Sequence, residues 1–284
     1  MPELPEVHTI ATRLQTELRD ARVSSLRVLR DDVIHHGGRE LAACAVGRTI
    51  ASIDRRGKRL AIRLSPHGVV VIHLGMSGRL TLDPWDAPLL SHTHVCIRCE
   101  GREDELRFRD PRRFGGIWYY EDPETDPFSC AEGDGERDLA PLGPDALDIG
   151  LPRFREILRR RRQVKALLLD QHAISGLGNI YCDEALYRAG IHPGTPACRL
   201  SDAQVRKLAA AIRSTLKSAI AFGGSTLREY RNADGQAGTF QKLHRVYGRE
   251  GERCGRCGRT IARSIVAGRS THTCPGCQKR RVRR

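Results

Sequence analysis

The sequence predicts an α+β chain built from more than one domain. Three observations lead there. An amphipathic stretch at the front precedes a series of short strand-like segments. Near residue 150 the hydrophobic period switches to that of helices, and a cysteine-rich tail closes the chain. The 284 residues suit about two domains of roughly 100–200 residues each. We place a helix plus β-sandwich at 1–140, a helical domain at 150–240 and the cysteine-rich tail at 245–284.

Each element has a local reason. Val7, Ile10, Leu14 and Leu18 recur at helical spacing after Pro5, which suits a first helical turn. The segments RVSSLRVLR, LAIRLS, GVVVIHLGMSG, THVCIRC and ELRFRD follow at close spacing, the pattern of a sandwich or barrel. Residues 121–138 (EDPETDPFSCAEGDGERD) are acidic, contain Pro and Gly, and read as a surface loop. Beyond 150, PRFREILRRRRQVKALLLDQ and SDAQVRKLAAAIRSTLKSAIAFGG read as helices. In the second, Val205, Leu208, Ile212, Leu216 and Ile220 form one stripe. Ser201 with Gln204 forms a capping box there, and Gly223 can end the helix. The glycine-rich 228–240 stretch reads as a flexible loop.

Charge divides the chain. Residues 151–284 carry 28 Lys+Arg against 9 Asp+Glu, whereas residues 1–150 carry 20 against 25. A half this basic suits a polyanion, most simply nucleic acid, although a basic surface can also serve solubility alone. No run of about 18 apolar residues exists to span a membrane. The N-terminus also lacks the basic-then-apolar order of a secretory signal. The expectation is a cytoplasmic protein whose ten cysteines are reduced.

The tail carries the most specific local pattern. Cys254-x2-Cys257 and Cys274-x2-Cys277 form two knuckles that together make a tetrahedral site for one structural Zn2+. Cys96 and Cys99 share the spacing, but strand alternation sends them to opposite faces and they have no partner pair. Arg269 falls between the two knuckles, where a hairpin tip can present it to phosphate or simply to water. GLGNIY (176–181) places two glycines and Asn179 ahead of a helix, and bare amides at such a start bind phosphate. A plain helix–turn–helix corner has the same appearance. DPRRFGG (110–116) sets Arg112 and Arg113 beside Phe114, which either wedges between base steps or covers a core. Met76, in HLGMSG, is by default a core or edge residue.

The front of the chain, MPELPE, holds the reactive candidates. Removal of Met1 makes Pro2 a secondary amine that titrates near ~8, so a usable fraction is neutral in the cytosol. Such an amine attacking a sugar C1′ gives a cationic iminium, an electron sink of the kind covalent catalysis uses. Glu3 sits beside it and can move protons. Lys58, in RRGKRL, can orient phosphate or shuttle protons. Taken singly, these are equally a chain end and a basic turn.

Together, MPELPEV, RRGKRL, HLGMSG, DPRRFGG, VKALLLDQ, GLGNIY, AGIHP, GGSTLREY, ADGQAGTFQ, VYGREGERCGRCG and RSTHTCPGCQ resemble one family in order across nearly the whole chain. That family is formamidopyrimidine-DNA glycosylase, with its relative endonuclease VIII. The resemblance implies a helix plus β-sandwich lobe, a helix–two-turns–helix module with a zinc-finger hairpin, and DNA in the cleft between. It implies a bifunctional glycosylase and abasic-site lyase of base-excision repair, a monomer in the bacterial cytosol or nucleoid, acting on damaged double-stranded DNA. Pro2 then resembles the nucleophile and Glu3 the acid, with Glu6 a supporting carboxylate. Lys58 resembles the lysine of β-elimination. Met76, Arg112 and Phe114 resemble the residues that fill the gap left by an everted nucleotide, with Arg113 alongside them. Asn179 and Arg269 resemble a phosphate clamp, and Arg269 is implicated in the last elimination. His92 and Lys165 resemble weaker backbone contacts. The 228–240 segment resembles the loop covering the flipped purine. His8 stands where many relatives have Glu.

Two other readings stay open at this level. One is an oxidised-pyrimidine glycosylase of the endonuclease VIII type. The other is a zinc-ribbon DNA-binding protein without catalysis.

Overall fold

The computed structural model describes residues 2–122, 126, 128, 139–227 and 230–280. Most of the acidic 121–138 stretch therefore lies outside the described residues. The chain forms two compact units: residues 1–141 with 222–239, and residues 142–221 with 240–284. The division differs from the boundaries expected at 150 and 240. Residues 222–239 group with the first unit, whose core takes in Tyr230 and Ala233 and whose Glu6 and Leu82 bond the Ser225 amide and the Ala233 carbonyl.

The first unit begins with α1 (Leu4–Leu18). Two sheets follow. One has the strand order β1 (Val23–Val28), β7 (Thr93–Cys99), β8 (Asp104–Arg109), β6 (Arg79–Pro84). The other has the order β2 (Ile34–His36), β9 (Gly116–Tyr120), β5 (Val69–His73), β4 (Arg59–Ser65), β3 (Thr49–Arg56). A short helix α2 (Gly38–Ala45) lies between β2 and β3 in the chain. Val7, Ile10, Leu14 and Leu18 of α1 are all buried in one core with residues of both sheets. Each such side chain contributes about 2 kcal/mol of transfer free energy.

Sequence reading did not single out β2, α2, β3, β6 or β9. In β3 the apolar alternation is interrupted by an irregularity between Ile50 and Ser52. All five residues of β9 are buried, so it shows no alternation at all.

The second unit holds α3 (Leu151–Leu158), α4 (Val164–Leu169), α5 (Asn179–Ala189) and α6 (Asp202–Ala221). Its hairpin consists of β10 (Ala262–Val266) and β11 (Arg269–Thr273). The single helix expected over 152–171 is split. Gln163 takes an extended backbone and bridges to Pro196, and the Val164 amide donates to Thr195 O at 2.8 Å. The four arginines at 159–162 thus occupy the break rather than a helix face. The capping box at α6 forms as expected, with the Ser201 amide donating to Gln204 Oε1 at 3.0 Å. The α5 helix is buried on nearly every side, from Ile180 through Tyr187.

Candidate functional site

Residues 2–7, at the front of the first unit, are all buried. Pro2 is buried, Glu3 is 2% exposed and serves as the N-cap of α1, and Glu6 is 1% exposed. Pro5 suits the first turn, where its missing N–H costs nothing. The Glu6 carboxylate joins two distant segments. Its Oε2 accepts the Glu3 amide at 2.8 Å, and its Oε1 accepts the Ser225 amide at 2.6 Å. The Tyr230 hydroxyl donates to the Glu6 carbonyl at 3.4 Å. Gly224 is required at this contact: its φ is +82°, and a Cβ there would lie 2.6 Å from Glu6 Oε1. The 222–239 segment is pinned again where the Leu82 amide donates to Ala233 O at 2.8 Å and Arg13 pairs with Asp234 at 2.8 Å.

Lys58 follows Gly57 in the β3–β4 turn and is 8% exposed. Sequence reading passed over His73, which is cross-strand from Arg59. Burial, reinforced by the Arg59 and Lys58 charges, pushes its imidazole down to about 4, so it is neutral at physiological pH. The only sequence signal for it was its place three residues before Met76.

The wedge candidates share one buried hub. Met76 is 44% exposed and Phe114 is 56% exposed, an unusual state for large apolar side chains. The Arg112 guanidinium lies 4.5 Å from the centre of the Phe114 ring. Gly75 brings the two loops together, since a Cβ on it would meet the Phe114 backbone at 2.3 Å. Asp110, fully buried, joins them. It accepts Ser77 Oγ at 2.5 Å, the Arg112 amide at 3.2 Å and the Gly115 amide at 2.8 Å. The Asp110 amide donates to His92 O at 3.1 Å, and His92 is exposed with φ +68°. Arg113 is engaged by Asp32. Beside Phe114 a cleft of about 460 Å³ is lined by His35, Arg59, His73, Arg113 and Trp118.

In the second unit, Asn179 opens α5 and Arg269 opens β11. The Asn179 amide nitrogen donates to Ser270 O at 2.9 Å. Arg269 is exposed and follows a two-residue turn, Ala267–Gly268, with φ +53° and +69°. Lys165 differs from expectation. It is fully buried, and its Nζ donates to Asp183 Oδ1 at 2.6 Å, Ser270 O at 3.0 Å and Thr271 Oγ1 at 2.8 Å. An ammonium with three donors used and no exposure has none left for a DNA phosphate. The backbone contact expected of Lys165 is therefore corrected.

The Sγ atoms of Cys254, Cys257, Cys274 and Cys277 lie within 4.8 Å of one another. Two of the separations are 3.3 and 3.9 Å. Thiolates about 2.3 Å from a tetrahedral zinc stand about 3.8 Å apart, so the donor set fits one Zn2+. Val246, Ile261 and Tyr187 pack around Cys254 and Cys274. Burial pushes the Cys96 and Cys99 thiols up to about 11, which leaves them as inert strand residues.

The comparisons cover both units. The model of the formamidopyrimidine-DNA glycosylase N-terminal domain matches residues 1–117. The H2TH domain of that glycosylase matches 142–231, and the zinc finger found in FPG and IleRS matches 251–280. The chain is 41% identical over 287 residues to the formamidopyrimidine-DNA glycosylase of Geobacillus kaustophilus, covering 98% of this chain and 100% of that one. The Bacillus subtilis protein of the same name is 41% identical over 99% of this chain and 100% of its own length. A crystal structure of Lactococcus lactis Fpg with DNA containing N7-benzyl-Fapy-dG matches with a TM-score of 0.88 at 33% identity, over 98% of this chain and 100% of that one. The same Lactococcus protein bound to abasic-site DNA matches equally, with a TM-score of 0.88. By this full-length agreement in sequence and fold, the chain belongs to the formamidopyrimidine-DNA glycosylase family.

Proposed function

We propose that the protein is a base-excision glycosylase and abasic-site lyase that removes oxidised purines, 8-oxoguanine and formamidopyrimidines, from duplex DNA. The observation that carries this is the burial of Pro2 and Glu3 together. Pro2 and Glu3 are packed where a terminus is ordinarily frayed. With Met1 removed, the Pro2 amine attacks C1′ and sheds its N–H proton as the N-glycosidic bond breaks, the electron pair leaving with the base, which takes up that proton. Glu3 donates a proton to O4′ as the C1′–O4′ bond opens, which leaves a cationic iminium on Pro2. That electron sink acidifies C2′–H. Its proton is removed, the 3′ phosphate departs, and a second elimination releases the 5′ phosphate. Water then hydrolyses the iminium, releasing the sugar remnant as an aldehyde and returning the amine.

The remaining residues act around this centre. Lys58 serves the elimination and the phosphate, and Glu6 holds the Glu3 amide in place. A glycosylase reaches C1′ only after flipping the nucleotide, and Met76, Arg112 and Phe114 fill the gap. Asn179 and Arg269 grip phosphate, and the basic cleft beside Phe114 suits a phosphodiester. The zinc holds the hairpin that carries Arg269. The bacterial relatives and a DNA substrate fit a location at the nucleoid. Among the described residues no helix is long and apolar enough to cross a membrane.

Borohydride reduction during reaction with a duplex bearing 8-oxoguanine opposite cytosine should trap one covalent protein–DNA adduct. The attachment should map to Pro2 by mass. Absence of an adduct from protein shown to start at Pro2 refutes the proposal.

A further inference from the structure

We propose that Lys165 is a positioning residue that sets Arg269 against Asn179 without touching DNA. The proposal rests on the reading of those two residues as a phosphate clamp.

The connections are continuous. Lys165 Nζ donates to Ser270 O at 3.0 Å and to Thr271 Oγ1 at 2.8 Å. The Thr271 hydroxyl in turn donates to Arg269 O at 3.0 Å. One buried ammonium therefore reaches the carbonyls of both Arg269 and Ser270, the second through a direct bond. Asn179 donates to the same Ser270 O at 2.9 Å. The third acceptor of Lys165 is Asp183 Oδ1 at 2.6 Å. Asp183 lies four residues after Asn179 on α5, on the same helix face. Its Oδ2 accepts the His272 amide at 2.9 Å. Three successive residues of β11 are thus tied to the helix that carries Asn179.

Stability does not account for this arrangement. Both members of the ion pair are fully buried. Replacing such a pair by apolar side chains is often neutral or stabilising. Geometry does account for it. A two-stranded hairpin is poorly held by its own pairing. Residues 262–265 of β10 are exposed, so packing supplies little orientation on that side. A directional ionic peg supplies it, and it acts on the peptide next to the phosphate-facing guanidinium.

The test uses the full, zinc-loaded chain and a duplex carrying a tetrahydrofuran abasic analogue. Affinity is measured across a salt series for Lys165→Met, Thr271→Val, Asn179→Ala, Arg269→Ala and their combinations. Lys165→Met should weaken binding roughly tenfold and lower the salt slope by about one. Added to Asn179→Ala with Arg269→Ala, it should cost less than about twofold more, because the clamp it serves is gone. Thr271→Val breaks only the relay to Arg269 and should show a smaller loss in the same direction. Wild-type affinity and slope in Lys165→Met, or in Thr271→Val should the first variant lose zinc, overturn the proposal. So does a Lys165 effect that multiplies in full with the clamp variants. If Asn179→Ala and Arg269→Ala themselves bind like wild type, the clamp reading fails, a pattern distinct from indifference to Lys165 alone.

Discussion

Gly224→Ala probes the join between the chain start and the 222–239 segment. Alanine at φ +82° costs about 1 kcal/mol in backbone strain. Its Cβ would lie 2.6 Å from Glu6 Oε1 and 2.8 Å from Glu6 Cγ, so the carboxylate must move. That carboxylate is buried and bonded to the Ser225 and Glu3 amides. Losing one charged hydrogen bond costs about 1.5–3 kcal/mol more. The docked state should therefore lose about 3 kcal/mol, roughly a hundredfold in its population. Hydrogen exchange at the Ser225 amide reads this directly, and the yield of the borohydride-trapped adduct reads its effect on chemistry. Gly235→Ala is the control. Its φ is +74°, and nothing lies within 4 Å of its added Cβ, so it should show the strain alone. Equal effects in the two variants refute the reasoning. So does an undiminished Gly224→Ala effect in a Glu6→Ala background, where there is no carboxylate to displace.

Phe114→Ala should slow excision of 8-oxoguanine roughly a hundredfold, the unstacking energy of one base step. Cleavage of a pre-formed abasic site should fall far less, as single-turnover kinetics on the two duplexes will show. Chelating the zinc should unfold the cluster around Cys254 and Cys274 and abolish tight DNA binding, with recovery on adding Zn2+; metal content and affinity are measured together. His244 is buried, and burial pushes its imidazole down from 6.5 to about 4. Between those values the unfolded chain binds the extra proton, so stability is complete above the upper one and declines as pH falls toward the lower. The loss reaches roughly 3 kcal/mol. Urea unfolding at about pH 7 and about pH 5, with zinc content checked, should show a flatter pH dependence for His244→Gln.

Short-range patterns were readable in the sequence because the physics is short-range. The knuckle cysteines, the stripe of α1 and the capping box at α6 each depend on spacings of a few residues. What stayed hidden depends on partners far along the chain. Glu6 and Ser225 are 219 residues apart, and Lys165 and Ser270 are 105 apart. A lysine in a basic half reads as a surface group, and only the fold shows that α5 offers it a buried Asp183. Asp110 likewise reads as a turn residue, and nothing local marks it as the junction of the Met76 and Phe114 loops. The split between α3 and α4 was missed because the bridge that breaks the helix comes from Pro196. His73 was missed because a neutral histidine in a strand has no motif of its own.

The polypeptide crosses between the units three times, after residues 141, 221 and 239. The unit bearing the proline is therefore not one continuous stretch of gene. A fragment ending at 141 would leave Glu6 Oε1 without its Ser225 amide and the Leu82 amide without its Ala233 carbonyl. A proteolytic nick after 141 severs the piece that bears the proline from every covalent link, so that only non-covalent contacts hold it to residues 222–239. Transplanting the amine centre to another scaffold would require two pieces of chain, or a permuted one in which residues 222–239 run directly into the first unit.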